Sequence, residues 1–349
     1  MVYWMPAGVF KESYEADMAI FRYPIHWAAL ILAVVAAVAA PFVIGKYYLN
    51  LLVVMMIFWI AAIGLNITLG LAGQISLAHA ALMGIGAYTV ANAALHLGVN
   101  SVAILPIAGL AAALLGIILS LPSFRLKEYY LAMASLAAQL ILEYVYSRID
   151  PDQYTPVPPE TKTLLGISLT EPTALYYFIL AITVVMALAA ANIGRSSLGR
   201  AMKAVRDNDV ASEAIGINVQ LVKATAFAIG GFYAGVAGGL YAIYSSGIGW
   251  EGFTLVNSIE LLGMVLIGGP GRVVWGSLLG VLVMRTGWTM MESTITPLLA
   301  GIGLSIIASS AKYIVLGFLI VVFIIAEPEG LIAVLRRVKE YFRLWPYSY

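Results

Sequence analysis

The chain has 349 residues, of which 62% are hydrophobic and 11% charged, with no cysteine and a formal net charge of +1. Soluble domains carry about 25% charged residues, so an ordinary soluble domain and a disordered chain are excluded. The near-neutral balance excludes a nucleic-acid binder, and the missing cysteine excludes a disulfide scaffold or a thiolate metal site. What remains is an all-α polytopic membrane protein.

Residues 1–26 carry Lys11, Glu12, Glu15, Asp17 and Arg22 and lack the apolar core of a cleavable leader. They are read as an N-terminal segment outside the bilayer. A spanning helix needs about 20 mainly apolar residues. Over residues 27–335 the pattern predicts ten spans, several of them short, glycine-rich or broken: Trp27–Ile44, Leu49–Leu69, Ile75–Leu95, Val102–Leu121, Tyr129–Tyr146, Thr173–Ile193, Val222–Tyr244, Leu255–Gly268, Trp275–Met291 and Ser310–Ala326. The apolar stretch Pro297–Ala308 is expected to lie along the surface or re-enter. Residues 336–349 form a tail.

Ten spans put both termini on one side of the membrane. That side holds Lys11, Arg22, Arg125, Lys127, Arg195, Arg200, Lys203, Arg206, Lys223, Arg272, Arg336, Arg337, Lys339 and Arg343. The other holds Lys46, Arg148, Lys162 and Lys312, and Arg285 falls inside a span. The excess of basic loops marks the cytoplasmic side, so both termini and the 194–221 loop are expected in the cytoplasm. The 147–172 segment is then external. Pro151, Pro156, Pro158, Pro159 and Pro172 forbid a helix there, and it is the natural divide between two bundles of spans.

No phosphate-binding loop is present, since Gly45-Lys46 is followed by Tyr47, and His26, His79 and His96 are scattered. Any energy from ATP would come from a partner. The run Gly64–Tyr88 is the first informative segment, because its polar groups sit at membrane depth and need protein or water to satisfy them. Gly73, Ser76 and His79 follow at three-residue spacing and would share one helix face with Ala80 and Met83. Two readings stand: a broken helix lining a pathway, or close packing through small residues. In the 194–221 loop, Arg200, Lys203 and Arg206 form a basic stripe. Asn208 or Asp209 can cap a second short helix, and Gly216 can end it. Docking to a soluble partner and lying on anionic lipid both fit this stripe. Gly231, Gly235 and Gly239 form a packing ridge. Glu260, Arg285 and Glu292 need partners inside the spans, and Glu260 with Arg285 is one candidate pair.

The run Gly70-Leu71-Ala72-Gly73-Gln74-Ile75-Ser76-Leu77-Ala78-His79-Ala80 resembles the signature of the branched-chain amino-acid ABC transporter permeases. So do Ser197-Leu198-Gly199-Arg200-Ala201, Ala204-Val205-Arg206-Asp207-Asn208, Ala214-Ile215-Gly216-Ile217-Asn218 and Ala234-Gly235-Val236-Ala237-Gly238. The ending Glu327-Pro328-Glu329-Gly330-Leu331 is similar to that of the longer of the two permease types. The resemblance covers residues 50–335. It implies a sister permease, two ATP-binding subunits, an extracytoplasmic solute-binding protein, and location in the cytoplasmic membrane of a prokaryote. It also implies ATP on the partners, no cofactor or metal in this chain, and import of leucine, isoleucine or valine. Loop 194–221 becomes the coupling element, with Arg200, Lys203, Arg206, Glu213 and Gly216 as its contact residues. Gly73, Gln74, Ser76 and His79 become pathway candidates. Urea and short-amide permeases share these motifs and are the alternative substrates. A stand-alone secondary transporter and an integral-membrane enzyme are the readings from other classes.

Overall fold

A computed structural model describes residues 24–124, 128–149, 154–164, 167–291, 293, 305–327 and 329–344. The predicted N-terminal segment through residue 23, Arg125, Lys127, Asp150–Asp152, Glu292, residues 297–304 and the last five residues of the tail lie outside the described residues. The chain divides into two compact units, Met1–Leu52 and Val53–Tyr349. The first contains helix α1 (Pro24–Val43), with Pro41 in its final turn. Helix α2 (Lys46–Asn66) begins at the end of that unit.

The second unit is helical wherever the apolar runs are long. It contains α3 (His79–Leu97), α4 (Ser101–Ser120), α5 (Glu128–Ile149), α6 (Pro172–Arg195), α7 (Ser197–Asp207), α8 (Asp209–Ala214) and α9 (Val219–Ser245). After these come α10 (Leu255–Gly268), α11 (Val273–Met290), α12 (Ser305–Ala326) and α13 (Leu331–Leu344). The chain is thus an all-α polytopic membrane protein. Each predicted span falls on a described helix. Six described helices are long and apolar enough to cross a membrane: Lys46–Leu71, His79–Leu97, Ser101–Phe124, Pro172–Arg195, Val219–Ser245 and Val273–Met290. α10, with 14 residues, is shorter. One boundary is displaced. The span predicted to start at Ile75 starts at His79, because residues 73–78 are not helical.

The core is α9 lying against α3 and α4. Its glycines let backbones touch where any side chain would collide. A Cβ at Gly238 would overlap the Met83 carbonyl of α3, and one at Gly86 would overlap the Gly235 carbonyl of α9. On the other flank a Cβ at Gly231 would sit 2.6 Å from the Ala112 carbonyl of α4, and one at Gly235 2.5 Å from that of Ala108. The ridge read from Gly231, Gly235 and Gly239 therefore serves α4, and Gly230 and Gly238 serve a second face. Since α3 and α4 precede the proline-rich segment and α9 follows it, that segment does not separate two bundles here.

The segment itself is pinned. β1 (Thr155–Pro156) pairs antiparallel with β4 (Gly247–Ile248), and β2 (Thr163–Leu164) with β3 (Ile167–Ser168). Asn100, which caps α4 by accepting from the Val102 amide, also donates through Nδ2 to the Thr163 carbonyl at 2.6 Å. Lys162 is buried, and its Nζ donates to Ser246 Oγ at 2.7 Å.

Candidate functional site

α2 does not end in a cap. It passes into a π-helical turn, Ile67–Leu71, and the next helix starts only at His79. Such turns free backbone groups that other partners must satisfy. Gln74 donates its backbone N–H to the Thr68 carbonyl at 3.0 Å, and Thr68 Oγ1 donates to the carbonyls of Gly64 and Ala226 at 3.3 Å. The first amides of α3 point at side chains from distant helices. Ala80 N donates to Ser258 Oγ and Ala81 N to Gln139 Oε1, both at 2.9 Å, while Leu77 N donates to Ser135 Oγ at 2.9 Å. Ser258 Oγ donates in turn to Gln139 Oε1, and Gln139 Nε2 to the Phe253 carbonyl. The half-helix N-terminus is therefore filled by the protein's own acceptors.

Gly73, Ser76 and His79 do not share a helix face, because the i, i+3 argument assumed a helix that this stretch is not. Gln74, Ser76 and His79 are all buried, and Gly73 alone is half-exposed. His79 Nε2 lies 3.0 Å from the Ala61 carbonyl. A carbonyl only accepts, so Nε2 carries the proton. A Cβ at Gly64 would come within 3.3 Å of this nitrogen, so the ring is wedged into a helix contact.

The 194–221 segment forms two short helices, the second capped by Asn208 as the sequence offers. Ser196 accepts from Gly199 N at 3.2 Å to start α7. Asn208 accepts from Ala211 N at 3.0 Å to start α8, and Asn218 accepts from Leu221 N at 3.0 Å to start α9. Gly216 ends the pair at φ +88°, in open space. Met202 and Val205 bury the inner face of α7. Val210 and Ile215, on and just after α8, are 78% and 75% exposed. Glu213 is exposed beside them. The basic stripe is split. Arg200 Nη1 donates to the Arg195 carbonyl at 3.1 Å and Lys203 Nζ to the Gly194 carbonyl at 3.3 Å, so both heads turn back to the end of α6. Arg206 turns elsewhere.

Arg206 joins the two constellations. Its Nη1 donates to the Gly70 carbonyl at 2.6 Å, inside the π turn, 136 positions away in sequence. Gly73 sits at φ +69°, and a Cβ there would fall 2.6 Å from Arg206 Cγ, so this position needs glycine twice over. The turn between α10 and α11 closes the junction. Asn66 Oδ1 accepts from Gly271 N at 2.8 Å, and Asn66 Nδ2 donates to Ser277 Oγ at 3.0 Å. Gly271, at φ +85°, lies beside Arg206 Nη1. Gly330, at φ +74° in the turn before α13, packs on Gly269. One side chain of the short helices thus reaches the break in α2, and the break is fastened to α11 through Asn66. Lys223 and Asp209, 2.6 Å apart, tie α8 to α9.

Within the spans, Arg285 Nη2 lies 3.5 Å from Glu260 Oε1, and the guanidinium carbon sits 3.5 Å above the Phe58 ring. This is the pair that the sequence offered for Glu260. Sequence reasoning missed Asn66, Gln139, Ser135 and Gly271. An asparagine and a glutamine inside apolar runs were the available signal, since each needs a partner at membrane depth.

Residues 47–324 match the family described as branched-chain amino acid transport system / permease component. The high-affinity branched-chain amino acid transport system permease protein LivM of Escherichia coli is 29% identical over 333 residues, covering 88% of this chain and 75% of its own. The protein of that name from Salmonella typhimurium is 28% identical over 335 residues, with the same coverage. A probable branched-chain amino acid transport permease protein LivM from Methanocaldococcus jannaschii is 26% identical over 250 residues, covering 67% of this chain and 72% of its own. No solved structure matches the chain.

Proposed function

The chain belongs to the branched-chain amino acid permease family, and from that premise we propose that it is a transmembrane subunit of an ABC importer moving leucine, isoleucine and valine inward. ATP is bound and hydrolysed on two partner subunits. This chain carries no nucleotide site, metal or cofactor of its own. It pairs with a sister permease in the cytoplasmic membrane of a prokaryote and receives substrate from an extracytoplasmic solute-binding protein. Ten spans with both termini in the cytoplasm put α7 and α8 on the ATPase side. The basic balance of the loops supports that orientation.

The observation that carries the mechanism is the Arg206–Gly70 hydrogen bond. An ATP-binding subunit docks on the exposed face around Val210, Glu213 and Ile215, and Gly216 lets the chain turn sharply back into α9. A displacement of α7 then pulls or pushes the π turn of α2 through Arg206. Asn66 passes the shift to α11 through Gly271 and Ser277. The turn is a natural place for a small rearrangement, because its backbone is not held by a regular i to i−4 ladder. Gly73, Gln74, Ser76 and His79 belong to the moving segment. The buried Gln74, Ser76 and His79 hold the break, His79 through the Ala61 carbonyl of α2, and Gly73 borders the pathway.

Uptake into proteoliposomes tests the reading. They contain this chain, its neighbouring permease, the ATP-binding subunits and the binding protein. ATP-dependent leucine uptake is the expected result. ATP-dependent urea uptake without leucine uptake would move the substrate to the short amides. Uptake by this chain alone without ATP would overturn the ABC reading.

A further inference from the structure

We infer that the cleft between α6 and α9 is a binding site for one anionic phospholipid, with an acyl chain between the helices and the headgroup on Arg200 and Lys203. The two helices are neighbours but do not pack along their length. Tyr233 OH donates to the Met186 carbonyl at 2.8 Å and bridges them. From that bridge toward the Arg195 end of α6 they splay and leave a cleft of about 330 Å³. Ala189 and Ile193 form one wall, and Ala228, Ile229 and Phe232 the other, over a buried floor at Met186 and Tyr233. From Met186 to Ile193 the helix rises about 10 Å. The wall residues are exposed or half-exposed, so the cleft opens outward from the bundle.

The cleft alone names no occupant; the charge at its mouth does. Gly194 and Arg195 follow Ile193 directly, and α7 lies across the ends of α6 and α9. Arg200 and Lys203 of α7 send their heads to the carbonyls of Arg195 and Gly194, the two residues that follow the wall residue Ile193. Both side chains are exposed, and among the described residues neither has a carboxylate within ion-pair distance. Two cations held next to an apolar slot, at the membrane interface, complement a phosphodiester on two acyl chains. A zwitterionic headgroup returns a cation to the site and loses this advantage. A helix of the sister permease would fill the cleft but leave the two cations without a counter-charge.

The probe is phosphatidylglycerol carrying a photoactivatable group on one acyl chain, in phosphatidylcholine nanodiscs. The full chain is labelled both alone and in its assembled transporter, and labelled peptides are mapped by mass spectrometry. Label is expected on residues 186–193 and 228–233 in both preparations. Unlabelled phosphatidylglycerol displaces it and added phosphatidylcholine does not. Lys203→Gln lowers phosphatidylglycerol occupancy about fivefold and R200Q/K203Q further, as expected for removing interfacial cations. Ala189→Trp fills the cleft and blocks labelling with both cations in place, and far-UV circular dichroism checks that each variant is folded. Equal labelling by a phosphatidylcholine probe would overturn the proposal and leave ordinary boundary lipid. So would labelling unchanged by the charge variants, or labelling lost on assembly because a protein helix takes the cleft.

Discussion

The packing of α9 on α3 and α4 and the junction at Arg206 are built on opposite principles. In the first, glycines bring backbones together over many residues, and the attraction is spread through contacts that are individually weak and do not depend on direction. In the second, a π turn, a loop and a short helix meet through a handful of directed hydrogen bonds. They hang on Asn66, Arg206 and glycines at positive φ. Arg206 is 42% exposed there, while Gly238 and Ala237 at the α9 contact are buried. The difference teaches where each region can fail. The core breaks when volume is added. The junction breaks when one donor is removed, and the loss of a charged hydrogen bond costs only about 1.5–3 kcal/mol. A contact of that size can be made and unmade during a transport cycle.

Adding volume to the core should have the largest effect. Gly238→Leu forces a side chain into the Met83 carbonyl, so the prediction is loss of monodisperse protein in detergent rather than a milder transport defect. Well-behaved protein from that variant would mean that α3 and α9 are not in backbone contact.

His79→Phe lies between the two regimes. It removes the side-chain donor to the Ala61 carbonyl and adds bulk beside Gly64. Together these should cost about 2–5 kcal/mol, read as a lower thermal midpoint of the assembled transporter. Substrate preference should not change. Normal stability with altered preference would place His79 on the pathway instead.

The smallest effect concerns Lys162, which meets Ser246 at the C-terminal end of α9. Burial lowers its pKa from 10.5. Between the lowered value and 10.5 the unfolded chain binds the proton more readily, so local stability should rise with pH across that window. Lys162→Met should flatten this rise, as followed by hydrogen exchange of residues 154–164. A slope unchanged by the substitution would show that another group titrates.

Much of this was legible in the sequence. Apolar runs of about 20 residues marked the helices, and Asn208 and Gly216 marked the start and end of the second short helix, because capping is local chemistry. The glycine ridge and the Glu260–Arg285 pair followed from what the membrane forbids. The break after Leu71 was suspected from its glycines. The face assigned to Gly73, Ser76 and His79 did not form, because three-residue spacing carries meaning only inside a helix. The junction itself was out of reach. Arg206 meets Gly70 across 136 positions and Asn66 meets Gly271 across 205, and no periodicity in one sequence reports such a contact. Arg200, Lys203 and Arg206 read as one stripe, but the fold sends two of them to α6 and the third to α2.

The most direct test of the account is the ratio of leucine transported to ATP hydrolysed, measured in the same proteoliposomes for the wild type and Arg206→Ala. The account predicts that ATP hydrolysis persists while the ratio falls about tenfold, as expected for losing one charged hydrogen bond at the coupling step. Arg206→Lys should recover part of it. An unchanged ratio in Arg206→Ala, with the transporter intact, would contradict the claim that Arg206 carries the movement of α7 to the break in α2.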